Sequence, residues 1–153
     1  MLAIQIVDFS WAKGRRYGIM ASVKMPQHLI PLSYFLIDTG SPYTFISQSE
    51  CEMMRINLNN CKTFERMDIA RSQVELKDLG TATFNFHVGN DTLASFSYKA
   101  LGGSSRSAGY YPSILGRDFL EEFNLGISRR RNDGHRYLEF ETEGSKGISV
   151  RRF

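Results

Sequence analysis

Ser33-Tyr34-Phe35-Leu36-Ile37-Asp38-Thr39-Gly40-Ser41-Pro42-Tyr43-Thr44-Phe45-Ile46-Ser47 is the stretch on which the fold turns. Tyr34 to Ile37 is an apolar run of residue types that favour strands. It stops at Asp38, and Gly40, Ser41 and Pro42 punctuate the chain before Thr44, Phe45 and Ile46 restore the apolar character. A carboxylate at the end of a buried strand is costly. Taking its charge out of water costs several kcal/mol unless hydrogen bonds or proton sharing compensate. Gly40 permits backbone conformations closed to other residues and lets another chain approach closely. Thr39 and Ser41 supply hydroxyls on either side of it.

A second segment lies far downstream. Ser113-Ile114-Leu115-Gly116-Arg117-Asp118-Phe119-Leu120 is an apolar run into glycine, followed by Glu121-Glu122-Phe123-Asn124. F-L-I-D-T-G-S resembles the active-site turn of the aspartic proteases. Ile114-Leu115-Gly116 resembles the element that follows the last inner strand of that family and leads into a short helix. Their order and separation are similar to those of the retropepsins, the single-lobe form. The resemblance spans roughly Tyr17 to Phe140, and the two motifs carry it.

What it implies is specific. The fold would be mostly β, a closed barrel-like single lobe with one short helix after Ile114-Leu115-Gly116, active as a twofold dimer. The chain has one D-T-G, so the second carboxylate would be Asp38 of another copy. Two carboxyls held close together share a proton, one taking a proton from water and the other polarising the scissile carbonyl. Asp38 would be the catalytic group. Thr39 would bond across to the partner turn, Gly40 would make room for the substrate backbone, Ser41 would bond the outer oxygen of Asp38, and Gly116 would support the site. A hairpin between Thr63 and Asp78 stands where the family's flap folds over substrate, although its tip lacks glycine. Met67, Ile69, Ala70, Arg71, Ser72 and Val74 on it, with Gly40, Tyr110, Tyr111 and Ile114, would line the substrate site. Extended polypeptides with bulky apolar residues beside the cleaved bond are the expected substrates. One departure stands out. Pro42 occupies the position where retroviral enzymes carry an Asp that pairs with the arginine after the downstream glycine, which leaves Arg117 without that partner. Asp118 reads as a surface or helix N-terminal charge.

The bulk properties agree with one domain over residues 1–153. The 153-residue chain is 42% hydrophobic, and its eleven Phe and seven Tyr favour a β-rich core over a bundle. A formal net charge of +3 makes no case for nucleic acid. Arg129-Arg130-Arg131, with Arg136 and Arg151-Arg152, reads as a solvated hairpin edge guarded by charge. Asp8 interrupts the N-terminal apolar run too early for a signal peptide, and no run reaches a membrane span. A cytoplasmic location, without membrane association, is the expectation. Cys51 and Cys61 read as free thiols in such a compartment, although one bridge between them is possible. His28, His87 and His135 lie on different elements without ligand spacing, so neither a metal nor another cofactor is expected.

In chain order, Leu2–Phe9 and Tyr17–Met25 read as strands around an interruption at Lys13-Gly14. The Ser47-Gln48-Ser49-Glu50 segment opens a short helix, with Ser47 or Ser49 as N-cap. Thr81–Val88 and Leu93–Leu101 are two further strands about a turn at Gly89-Asn90-Asp91. Gly102 to Gly109 is small and polar and reads as a loose connection or as a border of the substrate groove. Leu125–Arg130 and His135–Glu141 form a hairpin around Asn132-Asp133-Gly134, and Ile148–Phe153 a last strand. Two functions remain open on these grounds. One is a homodimeric aspartic endopeptidase. The other is a catalytically silent module of the same fold that dimerises or binds peptides.

Overall fold

The computed structural model describes residues 1–11, 14–69, 72–105, 111–144 and 146–153. Eleven strands and two short helices make up the described regular structure, apart from a single 3-10 turn at Leu58–Asn60. The central strands are β3 (Gly14–Lys24), β4 (Leu29–Asp38), β6 (Ser72–Val88) and β7 (Thr92–Ser105). With β8 (Ser113–Gly116) and β11 (Ile148–Arg152) they form one sheet in the order β11-β7-β6-β3-β4-β8. β2 (Val7–Trp11) adds to β3, and β5 (Thr63–Ile69) adds to β6. A three-stranded sheet holds β1 (Leu2–Gln5), β10 (Tyr137–Phe140) and β9 (Gly126–Ile127) in the order β1-β10-β9.

The core follows from period-two burial. Ala82, Phe84 and Phe86 of β6 and Ala94 and Phe96 of β7 are buried on one face, with Phe84 opposite Phe96 and Phe86 opposite Ala94. Their rings meet Phe119 and Phe123 edge to face. Phe84 and Phe119 lie 5.3 Å apart, Phe96 and Phe123 5.0 Å, and Phe119 and Phe123 4.8 Å. Such pairs add about 0.5–1.5 kcal/mol each to the apolar area they bury. This cluster anchors α2 (Arg117–Glu122), the helix expected after Gly116.

Several expectations need correction. The strands do not close into a barrel. Among the described residues, β8 at one end of the ladder and β7 near the other are linked only by single bridges, Phe45 with Ile114 and Ile46 with Gly102. The segment between them is cut short by Ser41-Pro42 on one side and by α1 (Gln48–Met53) on the other, so it cannot grow into a strand. The expected strand Leu2–Phe9 is two strands. The Ile6 amide turns aside to donate to the Arg136 carbonyl at 2.9 Å, so β1 joins β10 while β2 joins β3. β6 runs unbroken through Asp78 to Val88, with Gly80 at φ +87° absorbing a register shift that reads in sequence as a strand boundary. Gly102 and Gly103 are not loop. They are buried in β7, opposite Lys77 and Leu76. A side chain there would meet Leu58 at 2.6 Å or the Phe45 ring at 2.7 Å, so the glycines serve close packing rather than mobility. Arg106 to Gly109 lie outside the described residues.

Other expectations correspond to the pairing seen. The 63–78 hairpin, with Ile69 opposite Ser72, and the β9–β10 hairpin are both present. Ser47 caps α1, its side chain accepting from the Glu50 amide. Cys51 and Cys61 are free, and burial pushes the Cys51 thiol up to about 12. No helix among the described residues is long and apolar enough to cross a membrane, and no described group of His, Cys, Asp or Glu is arranged to hold a metal.

Candidate active site

β4 delivers Asp38. It runs parallel to β8 with Phe35 opposite Ser113, Leu36 opposite Ile114, Ile37 opposite Leu115 and Asp38 opposite Gly116. The two motifs far apart in sequence are therefore neighbours in register. Leu36 and Ile37 are buried, whereas Asp38 is half-buried and Thr39 and Gly40 are exposed. The turn is tied by its own backbone, the Ser41 amide donating to the Asp38 carbonyl at 3.1 Å. The Gly40 amide donates to the Asp38 carboxylate at 2.9 Å, and a Cβ on Gly40 would sit 3.2 Å from the same oxygen.

Gly116 closes the arrangement. A Cβ there would lie 2.4 Å from the Tyr43 carbonyl oxygen and 2.9 Å from that of Ser41. Both obstacles are backbone, so no side chain fits without moving the turn. The Arg117 amide donates to the Ser41 carbonyl at 2.8 Å, and the Gly116 amide donates to the Thr44 hydroxyl at 2.8 Å. Thr44 in turn donates to the Asp118 carboxylate at 2.7 Å, and the Tyr98 hydroxyl donates to its other oxygen at 3.1 Å. Asp118 is indeed a charge in the first turn of α2, but it points inward and ties the helix to the turn. Burial first, then Asp118, raises the Tyr98 hydroxyl above its usual range. Thr44 and Tyr98 drew no attention as sequence. The only available signal was a hydroxyl within the apolar run Thr44-Phe45-Ile46.

The bond implied for Ser41 is different in the structure. Its hydroxyl donates to the Tyr43 carbonyl at 2.8 Å, not to the Asp38 carboxylate, because the buried Ser41 side chain turns back into the loop. Arg117 lies along α2 against Glu121 at 3.9 Å, an exposed pair of little energetic weight.

Of the residues expected to line a substrate site, Met67, Val74, Tyr111 and Ile114 meet in one small apolar cluster with Leu36 and Phe45. Val74 and Ile114 are each only 1% exposed, so in the single chain they form the floor of that cluster rather than an open wall. Ile69 and Ser72 face each other across the hairpin backbone. Ala70, Arg71 and Tyr110 lie outside the described residues. A further polar cluster stands behind β4, where the buried Ser33 donates to the Glu50 carboxylate at 2.7 Å and Ser113 donates to it at 3.2 Å. It joins α1 to the β4–β8 pair.

No family model matches the chain, and no curated protein is significantly similar to it. Solved structures are. A retropepsin-like aspartic protease from Rickettsia conorii matches 87% of this chain and 98% of its own, with a TM-score of 0.53 at 17% identity. The retroviral protease-like domain of Ddi1 from Leishmania major matches over 83% and 96%, with a TM-score of 0.43 at 12% identity. The chain has a retropepsin-like fold.

Proposed function

We propose that this chain is an aspartic endopeptidase working as a twofold homodimer of single domains, each copy supplying Asp38. The observation that carries the reading is the setting of that carboxylate. It ends an inner strand, stands in register with Gly116, and lies on a rigid turn whose Thr39 and Gly40 are exposed. Among the described residues its side chain accepts one hydrogen bond, from Gly40, which leaves acceptor capacity facing outward. A carboxylate serving only the fold would spend that capacity on donors of its own chain.

With two such turns across an axis, one Asp38 is ionised and the other carries the shared proton. The ionised carboxylate takes a proton from a water molecule as its oxygen attacks the peptide carbonyl carbon. The protonated carboxyl gives its proton to the carbonyl oxygen, and a neutral tetrahedral diol forms. Collapse breaks the C–N bond: the carboxyl that took the water's proton gives it to the leaving nitrogen, and one hydroxyl proton of the diol passes to the other carboxylate as that oxygen becomes the new carbonyl. The water is consumed and the two carboxyls end as they began. No cofactor enters this scheme. An extended polypeptide bound through its main chain beside the β5–β6 hairpin, with apolar side chains toward the Met67–Tyr111 cluster, is the substrate class the site suits.

Cleavage of a chemically unfolded protein, followed by mass spectrometry from pH 3 to pH 7.5, tests the reading. Wild type should cut and Asp38→Asn, which keeps the shape and removes the acid–base group, should not. Equal turnover by the two proteins would remove Asp38 from the chemistry.

A further inference from the structure

Between the carboxylate turn and the root of the hairpin lies a cation that pairs with no acid among the described residues. Lys99 of β7 is half-buried, and its ammonium sits 4.9 Å from the Phe64 ring centroid, 5.5 Å from that of Tyr98 and 5.6 Å from that of Tyr43. Tyr43 and Phe64 meet edge to face at 5.5 Å. The Tyr98 ring is held from its far end by the bond to Asp118. Ring faces attract a cation and offset part of its lost hydration, but they leave its three N–H donors unfilled. Among the described residues no carboxylate pairs with Lys99 and no oxygen accepts from it. This differs from Lys77 on the neighbouring strand, which pairs with Glu75 at 2.9 Å.

The location gives the cation a use. Tyr43 belongs to the loop that carries Asp38, and its carbonyl holds the Ser41 hydroxyl. Phe64 belongs to β5, the first strand of the hairpin, and is 44% exposed. Tyr43 also packs against the same apolar cluster as Met67 and Tyr111. The three rings and the ammonium thus stand where an extended chain reaching from Asp38 along the hairpin root would pass.

We propose that Lys99, framed by Tyr43, Phe64 and Tyr98, is a specificity subsite that accepts an acidic side chain, Asp or Glu, of the polypeptide substrate away from the scissile bond. This rests on the endopeptidase reading of the site. The incoming carboxylate accepts charge-assisted bonds from the Lys99 ammonium, which are strengthened where aromatic surface excludes water. Glutamine, of the same shape without the charge, gains much less.

A randomised decapeptide library digested by wild type, Lys99→Gln, Lys99→Arg and Lys99→Glu, with cleavage products sequenced by mass spectrometry, tests this. Wild type and Lys99→Arg should enrich acidic over amide side chains about tenfold at one fixed distance from the cut, the scale of one charge-assisted bond. Lys99→Gln should lose that enrichment and Lys99→Glu should replace it with Lys and Arg, while the apolar preference beside the cut stays the same in all four. An acidic-to-amide ratio that is equal in all four proteins overturns the subsite. Capture of the same library by Asp38→Asn, with and without Lys99→Gln, reads the ratio through binding alone. Lys99-dependent capture without cleavage by any protein would uphold the subsite and sink the endopeptidase reading. Capture indifferent to Lys99 would sink the subsite itself.

Discussion

The Asp38–Ser41 turn and the β5–β6 hairpin that approaches it are held by opposite means. The turn is fixed mainly by uncharged groups: Ser41 amide to Asp38 carbonyl, Arg117 amide to Ser41 carbonyl, Ser41 hydroxyl to Tyr43 carbonyl, and Gly116 pressed against the loop backbone, with the Asp118 carboxylate tying α2 to it through Thr44. The hairpin is fixed at its root by charged side chains, Glu75 and Lys77 half-buried and Arg66 exposed. Thr63 donates to Glu75, Lys77 pairs with the same carboxylate at 2.9 Å, and Arg66 approaches it at 3.9 Å. Uncharged backbone bonds keep their strength across pH, whereas a carboxylate cluster loses its strength once it is protonated. In the proposed shared-proton site this division would be useful, since the backbone bonds that hold the Asp38 turn do not change with pH.

The largest way to break the contrast is Gly116→Ala. The added Cβ would meet Tyr43 backbone at 2.4 Å, where no flexible side-chain end can give way. A loss of roughly 3 kcal/mol in denaturant unfolding is expected, the upper range for overpacking, together with loss of cleavage. Wild-type stability in this variant would mean that the turn and β8 are not locked together. Ser41→Ala is smaller. It removes one neutral hydrogen bond, about 1 kcal/mol, and loosens the loop without touching the carboxylate. The cleavage rate should fall by a similar factor at every pH. Movement of the acid limb of the profile would show instead that Ser41 bonds Asp38 in the assembled enzyme.

The smallest effect concerns the hairpin. The hydrogen bond from Thr63, then Lys77, holds the Glu75 carboxyl down at about 2, against an ordinary value of 4.5. Its folded-state value is the lower one, so its stabilisation is complete above about pH 4.5 and is lost as pH falls through 2. The difference in thermal midpoint between wild type and Glu75→Gln should therefore be constant from pH 7 to about 5 and shrink toward pH 2. A difference that stays constant down to pH 2 would place the hairpin's support elsewhere.

The carboxylate turn was legible in sequence because its chemistry is local. A strand ending in Asp-Thr-Gly and a distant Ile-Leu-Gly are each readable within a few residues, and the parallel register of β4 and β8 brings them together. What was not legible depends on partners far along the chain. Gly102-Gly103 has the composition of a loop, but pairing with Leu76 and Lys77 of β6 makes it strand, and Phe45 and Leu58 pack where its side chains would be. The resemblance implied the Asp38 carboxylate as the partner of the Ser41 hydroxyl, and the loop's path selects the Tyr43 carbonyl instead. Lys99 reads as one more strand lysine until Tyr43 and Phe64, from two other elements, close around it. The barrel expectation failed because Phe45 and Ile46 supply single bridges where a strand would be needed.

The claim at the centre is that two copies of Asp38 build one site. Co-refolding a fixed amount of wild type with a ninefold excess of Asp38→Asn tests it most directly. Random pairing in a twofold dimer leaves few wild-type pairs, and the measured cleavage rate should fall to about one tenth of that from wild type refolded alone. A rate unchanged by the excess, with mixed dimers verified by mass, would mean that one Asp38 suffices and would contradict the account.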